Sequence, residues 1–91
     1  MNLEGKTAVI TGGASGLGAA TVSNFHERGA NIAIFDLNDE LGNAVVAELG
    51  ERALYVNVNV TDEASVAAGI DATLEAFGDI HICCNLSLIH I

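Results

Sequence analysis

Residues 11–18 have the sequence Thr11-Gly12-Gly13-Ala14-Ser15-Gly16-Leu17-Gly18. An apolar run, residues 7–10, precedes this stretch, and apolar residues at helical spacing follow it to about Gly29. Glycine lets the backbone turn sharply and leaves no Cβ in the way of an approaching ligand. The free N–H groups and the dipole of a helix start then favour an anion. We therefore predict a strand, a turn that cradles a phosphate, and a helix, although a turn that binds nothing could have the same composition.

The rest of the chain continues this alternation of apolar runs and amphipathic segments. Strands are predicted at residues 6–11, 31–35, 53–58 and 80–84, and helices from the glycine loop to Gly29, from the cap Asn38 to Gly50, and from the cap Thr61 to Gly78. Right-handed crossovers between parallel strands then require strand order 3-2-1-4. The predicted fold class is α/β: a doubly wound parallel sheet of the Rossmann type with about four strands and three helices, formed by residues 1–85.

Apolar positions predict which helix faces are buried. The predicted stripes are Leu17, Thr21, Val22 and Phe25 in the first helix, Leu41, Val45 and Leu49 in the second, and Val66, Ile70, Leu74 and Phe77 in the third. We expect the first two helices to cover one face of the sheet and the third helix to cover the other.

The composition argues against several kinds of partner. Three basic and 12 acidic residues give a formal net charge of −9, and such a surface repels nucleic acid and anionic membranes. No apolar run approaches membrane-spanning length, and the first residues do not resemble a signal peptide. Cys83 and Cys84 would point to opposite faces of a strand, so we expect buried, reduced thiols rather than a disulfide or a metal site. The predicted location is cytoplasmic.

An acidic residue follows the second predicted strand. The carboxylate of Asp36 can accept hydrogen bonds from the adenosine ribose of NAD, and it would repel the 2′-phosphate of NADP. No lysine or arginine occurs in the ten residues after Asp36. We therefore predict NAD as the cofactor; the alternative is that Asp36 only starts the turn into the next helix.

The pattern Thr-Gly-x-x-x-Gly-x-Gly resembles that of the short-chain dehydrogenase/reductase family, and the resemblance extends over about residues 4–85. It implies cofactor contacts from Gly12, Ser15, Gly16, Leu17, Gly18, Asp36, Leu37, Asn59, Val60 and Asn85. Asn59 stands where the family usually has an aspartate that contacts the adenine amino group, and its side-chain oxygen can still accept from that group. Ordinary turns at strand ends would equally account for Asn59 and Asn85.

Within the family, residues 12–21, 35–38 and 82–85 are similar to the 3-hydroxyacyl-CoA dehydrogenase type II branch. The resemblance implies oxidation of a secondary alcohol by hydride transfer to NAD, with 3-hydroxyacyl-CoA and hydroxysteroids as candidate substrates. It also implies a small-molecule alcohol or ketone as partner and a parent protein that is a homo-oligomer.

The family's catalytic residues have no counterpart in this sequence. They are a Tyr-x-x-x-Lys pair and an upstream serine, whereas the single tyrosine here, Tyr55, and the single lysine, Lys6, belong to different predicted strands. We therefore assign no catalytic residue and expect the 91-residue chain to be inactive. The pattern stops after Asn85, so residues 86–91 are predicted to be a tail foreign to the family on an amino-terminal fragment. The alternative is a complete, non-catalytic dinucleotide-binding or interaction module.

Overall fold

The computed structural model of the chain describes residues 3–12 and 16–85, without the side chains of residues 16, 17 and 85. These residues form β1 (Thr7–Thr11), α1 (Gly16–Glu27), β2 (Asn31–Asp36), α2 (Asp39–Leu49), β3 (Ala53–Asn57), α3 (Glu63–Phe77) and β4 (Ile82–Asn85). The strands are parallel and lie in the order β3-β2-β1-β4. The predicted doubly wound sheet, with strand order 3-2-1-4 and three helices, is confirmed for this part of the chain. The predicted tail, residues 86–91, lies outside it.

Two apolar clusters flank the sheet, and each packs against a different set of helices. On one face, Ile10 and Ile32 pack with Val22 of α1 and Val45 of α2. On the other face, Phe35 and its neighbours Val9, Ala33 and Val58 pack with Val66, Ile70 and Phe77 of α3. β1 is buried at every position because it lies between β2 and β4 and is covered by helices on both faces of the sheet. The predicted division of the helices between the faces is therefore correct.

Two of the predicted buried leucines are instead exposed, Leu41 at 47% and Leu74 at 41%. In α2 the buried position is Gly42, where an added Cβ would collide with the ring of Tyr55. In α3 the buried positions are Gly69 and Thr73, and the Thr73 hydroxyl donates to the carbonyl oxygen of Gly69 at 2.8 Å. α2 thus turns a glycine toward the sheet, and α3 turns a threonine whose hydroxyl is hydrogen-bonded within the helix. In each helix the leucine next to that residue is exposed to solvent.

The predicted cap of the third helix is also wrong. Asp62, not Thr61, is the N-cap, and its carboxylate accepts from the backbone N–H groups of Ala64 and Ser65 at 3.0 and 3.4 Å. The predicted cap of the second helix is correct, because Asn38 accepts from the N–H of Leu41 at 3.0 Å.

The fourth strand runs over Ile82–Asn85 rather than 80–84, and the third ends at Asn57 rather than residue 58. β4 lies at the sheet edge, so Cys83 is exposed and its predicted burial is wrong. Cys84 is half-buried. The pKa of its thiol is raised mainly by desolvation and to a smaller extent by the charge of the neighbouring Cys83. Within residues 3–12 and 16–85, none of the helices has the length and apolarity required to cross a bilayer.

Candidate functional site

A cavity of about 220 Å³ opens where β1, β2 and β3 end. The residues that line it are Gly12, Phe35, Asp36, Leu37, Val58, Asn59, Val60 and Thr61. Ligands of open α/β sheets bind at this edge, outside the carboxyl ends of the parallel strands. The fold thus brings five of the predicted cofactor residues to one cavity: Gly12, Asp36, Leu37, Asn59 and Val60.

Gly12 turns the chain away from β1 at the edge of this cavity. Its φ is +72°, a left-handed conformation that residues with a Cβ adopt only with strain. Its N–H donates to the carbonyl oxygen of Phe35 at 2.8 Å, which fixes the turn beside the end of β2. The loop glycine predicted from the sequence is therefore required by the backbone.

The other predicted residues around the loop are described only in part. Gly16 begins α1 and Gly18 is buried within it, whereas Ser15 lies outside the described residues. Leu17 belongs to α1 and Asn85 ends β4, but their side chains are not described. Their predicted contacts with a pyrophosphate or its surroundings stay predictions.

The carboxylate of Asp36 is held over the turn between β2 and α2. Its Oδ1 atom accepts from the backbone N–H groups of Leu37 at 2.7 Å and Asn38 at 3.1 Å. These two bonds orient the carboxylate at the rim of the cavity, which is where a ribose-binding acid is required.

A second set of side chains holds this turn against β3. The Tyr55 hydroxyl lies 2.6 Å from Oδ1 of Asp39 and 3.0 Å from the carbonyl oxygen of Asp36, so both oxygens compete for its single hydrogen. The Asn57 amide donates to the same Asp39 oxygen at 2.8 Å and to the carbonyl oxygen of Leu37 at 3.4 Å. The sequence analysis did not predict these hydrogen bonds. The only sign of them in the sequence is that Tyr55 and Asn57, two residues apart on one strand, lie on the same side of it.

The hydrogen bond between Tyr55 and Asp39 predicts a pH dependence. Desolvation first, and then Asp39, raise the pKa of Tyr55 from 10.0 to about 12. A raised folded-state pKa stabilises the fold below the unfolded value, so this stabilisation should be lost as the pH rises from 10.0 to about 12. Since Tyr55 is the only tyrosine, tyrosinate absorbance during an alkaline titration measures it directly. Ionisation with a midpoint near the ordinary value in the folded chain would contradict the structure.

The same bond acts in the opposite direction on the acid. Hydrogen bonds from Tyr55 and then Asn57 lower the pKa of Asp39 below 3.8. Its contribution to stability is therefore present above that value and is lost as the pH falls through the folded-state pKa. In Tyr55→Phe the Asp39 carboxyl, followed by NMR, should titrate closer to 3.8.

Asn59 follows β3 and its side-chain oxygen is used within its own loop. That oxygen accepts from the backbone N–H of Thr61 at 3.0 Å and from the Thr61 hydroxyl at 2.6 Å. Thr61, predicted to cap a helix, therefore orients the amide of Asn59 instead.

All three basic residues of the sequence lie away from the cavity. Lys6 precedes β1, Arg28 follows α1, and Arg52 precedes β3, where it donates to the carbonyl oxygens of His26 and Ala30 at 3.1 and 2.8 Å. These positions are at the amino ends of the strands, the edge of the sheet opposite the cavity. Among the residues that the structure describes, no cation lines the cavity.

Tyr55 and Lys6 lie far apart. In the sheet Tyr55 is level with Ile34, and Ile34 is level with Ile10. Ile10 is four residues from Lys6, roughly 13 Å along the strand. The described part of the chain therefore contains no tyrosine–lysine pair.

The family model described as short chain dehydrogenase matches residues 6–87. The chain belongs to this family. One curated relative is (+)-borneol dehydrogenase 1 of Salvia officinalis, which is 49% identical to this chain over 80 residues. The matched residues make up 88% of this chain and 31% of that protein. The predicted membership of an oxidoreductase family is confirmed.

Two solved structures resemble this short-chain dehydrogenase chain. The 3-ketoacyl-(acyl-carrier-protein) reductase from Brucella melitensis, complexed with NADH, is 38% identical with a TM-score of 0.87; the match covers 89% of this chain and 34% of that one. The 3-hydroxyacyl-CoA dehydrogenase type-2 from Mycobacterium avium is 42% identical with a TM-score of 0.83. This match covers 89% of this chain and 32% of that one. The predicted similarity to that branch is confirmed, and the chain spans about a third of the length of these proteins.

Proposed function

We propose that this chain is the NAD-binding part of a short-chain dehydrogenase that oxidises a secondary alcohol by hydride transfer to NAD. The observation that carries the proposal is the carboxylate of Asp36, oriented by two backbone N–H groups at the rim of the cavity beside Gly12. That carboxylate would accept hydrogen bonds from the adenosine ribose. NAD, when bound, supplies the hydride acceptor.

The residues of the cavity fit a dinucleotide. Gly12 has the positive φ of a phosphate loop, and Gly16 begins a helix whose first N–H groups favour an anion. The pyrophosphate would lie there, against Gly12, Ser15, Gly16, Leu17 and Gly18, with Asn85 beside it. Leu37, Asn59 and Val60 would contact the adenosine. The similar reductase that is complexed with NADH supports this assignment.

The distribution of charge supports NAD rather than NADP. The additional phosphate of NADP would lie against Asp36 in a chain with a net charge of −9. Lys6, Arg28 and Arg52 are at the other edge of the sheet, so the described residues offer no cation to neutralise that phosphate.

Similar proteins support a secondary alcohol as the substrate. (+)-Borneol and 3-hydroxyacyl-CoA, which appear in the names of two of them, are both secondary alcohols. We infer a substrate of the 3-hydroxyacyl-CoA or hydroxysteroid kind for the parent enzyme. For this chain we infer binding without catalysis, because Tyr55 of β3 and Lys6, which precedes β1, are too far apart to act as a pair. Four further expectations stay predictions: that the parent is a homo-oligomer, that its location is cytoplasmic, that residues 1–85 form a domain, and that residues 86–91 are a tail foreign to the family.

Titration of the chain with NADH and NADPH, followed by nicotinamide fluorescence, tests the proposal. NADH should bind at least about tenfold more tightly, a difference of about 1.4 kcal/mol. Asp36→Ala should remove most of this preference, and so should Asp36→Asn, in which an oxygen can still accept from the N–H groups of the turn.

Asp71→Ala is the matched control, since it removes one negative charge from an exposed position of α3. It should leave the ratio of the two affinities unchanged. Tighter binding of NADPH by the unmodified chain, or no saturable binding of NADH, would contradict the proposal.

A further inference from the structure

The two peptide groups that orient the carboxylate of Asp36 are each held at their other end by a side chain of β3. The N–H of Leu37 donates to Oδ1 of Asp36 at 2.7 Å, and the carbonyl oxygen of the same peptide group lies 3.0 Å from the Tyr55 hydroxyl. The next peptide group repeats this arrangement, because the N–H of Asn38 donates to that Oδ1 at 3.1 Å and the carbonyl oxygen of Leu37 accepts from the Asn57 amide at 3.4 Å. A trans peptide group is planar, with its C=O and N–H pointing in opposite directions, so a contact that fixes the oxygen also fixes the N–H.

A single carboxylate at the start of α2 holds these two side chains in place. Oδ1 of Asp39 accepts from the Tyr55 hydroxyl at 2.6 Å and from the Asn57 amide at 2.8 Å. These bonds lower the pKa of the Asp39 carboxyl, which is therefore ionised and able to accept at neutral pH. Together Tyr55, Asn57 and Asp39 form a cluster that we name the β3 anchor.

We propose that the β3 anchor sets the preference for NAD over NADP by holding the Asp36 carboxylate in the direction that the ribose requires. The inference rests on the proposed function, because it requires a dinucleotide in the cavity. Tyr55 and Asn57 are then positioning residues that act through the two peptide groups, since neither is among the described residues that line the cavity. If either contact is removed, the corresponding N–H can rotate away, and Oδ1 of Asp36 keeps one of these two bonds instead of both.

The test titrates Tyr55→Phe and Asn57→Ala with NADH and with NADPH. Tyr55→Phe removes only the hydroxyl and keeps the ring that lies against Gly42. Each variant should bind NADH about fivefold more weakly, a difference of about 1 kcal/mol. The affinity for NADPH should not fall, because the Asp36 carboxylate repels its additional phosphate, whereas a general loosening of the turn would weaken both ligands alike.

A double-mutant cycle shows whether the effect passes through Asp36. In an Asp36→Ala background, the addition of Tyr55→Phe or Asn57→Ala should change the affinity for NADH by less than about twofold, since residues that act as one unit are not additive. Asn43→Ala is the matched control for Asn57→Ala. It truncates the same side chain at an exposed position of α2 and should leave both affinities unchanged.

Amide hydrogen exchange provides a readout for each peptide group without a ligand. The N–H of Leu37 should exchange faster in Tyr55→Phe, and the N–H of Asn38 should exchange faster in Asn57→Ala, because each then loses the contact that fixes its peptide group. Asn43→Ala should leave both exchange rates unchanged.

Four results would overturn the inference while leaving the proposed function intact. They are an unchanged affinity for NADH in either folded variant, equal weakening of NADH and NADPH, additive effects in the Asp36→Ala background, and unchanged exchange at Leu37 and Asn38. If circular dichroism shows that Asn57→Ala does not fold, the results for Tyr55→Phe decide. Failure of the unmodified chain to bind NADH at all would overturn both.

Discussion

Replacing Phe35 with alanine is expected to lower the free energy of unfolding by about 3–5 kcal/mol. The ring is 1% exposed and lies in the cluster between the sheet and α3. Small domains have only a few kcal/mol of stability, because they bury a modest fraction of their surface. The variant should therefore be largely unfolded, and urea denaturation followed by circular dichroism measures the loss.

The effect should be large because the surrounding structure is fitted to this ring. A Cβ at Gly69 of α3 would lie 2.9 Å from Cζ of Phe35 and 2.7 Å from Cγ2 of Val58, so the helix approaches the sheet as closely as these side chains allow. Removal of the ring leaves a cavity that the backbone cannot readily fill. Leu41→Ala, at an exposed position of α2, is the control and should change stability by about 0.5 kcal/mol or less. A similar small loss in Phe35→Ala would contradict the packing.

Gly42→Val is expected to destabilise the fold by about 1–3 kcal/mol. Intrinsic helix propensity alone would favour the change, since glycine is the poorer helix former. A side chain at Gly42 would, however, collide with the ring of Tyr55, including its Cγ atom, which a rotation of the ring about the Cβ–Cγ bond does not move. α2 would have to move away from β3, and the bond between Tyr55 and Asp39 would be stretched.

Two measurements test this second expectation. Urea denaturation should show the loss of stability, and the pKa of Tyr55 should fall from about 12 toward its ordinary value. Asn43→Val is the matched control, because it places the same β-branched side chain on the adjacent, exposed position of α2. Equal stability of the two variants would mean that no collision occurs at Gly42.

The sequence was sufficient to predict the sheet, because the features that determine it are local. Each apolar run is followed by a helical period, and right-handed connections leave few possible strand orders. The residues at the strand ends, Gly12, Asp36 and Asn59, could be found for the same reason. Where parallel strands end at one edge of a sheet, the residues that follow them meet there.

What could not be predicted depends on contacts between elements. Helical spacing does not distinguish Thr73 from Leu74, and the choice is made by the surface against which α3 packs. Leu41 was predicted to be buried because nothing local shows that Gly42 must admit the ring of Tyr55. Such errors arise wherever the three-dimensional neighbour of a helix decides its rotation.

The support behind the site was missed for a similar reason. The bonds from Tyr55 and Asn57 to the turn after β2 join residues that are distant in sequence. Thr61 was misassigned because threonine and aspartate are both good helix caps and stand side by side here. Only the structure shows that Asp62 caps the helix and that Thr61 orients Asn59.

The position of Lys6, Arg28 and Arg52 at the far edge of the sheet has a consequence for how an anionic ligand arrives. With a net charge of −9, the molecule repels such a ligand over distances of about a Debye length, roughly 10 Å at moderate ionic strength. Diffusional encounter is then hindered rather than steered. Dissolved salt, which weakens the association of nucleotides with cationic proteins, would instead ease their entry into this cavity, and the affinity would rest on short-range contacts alone.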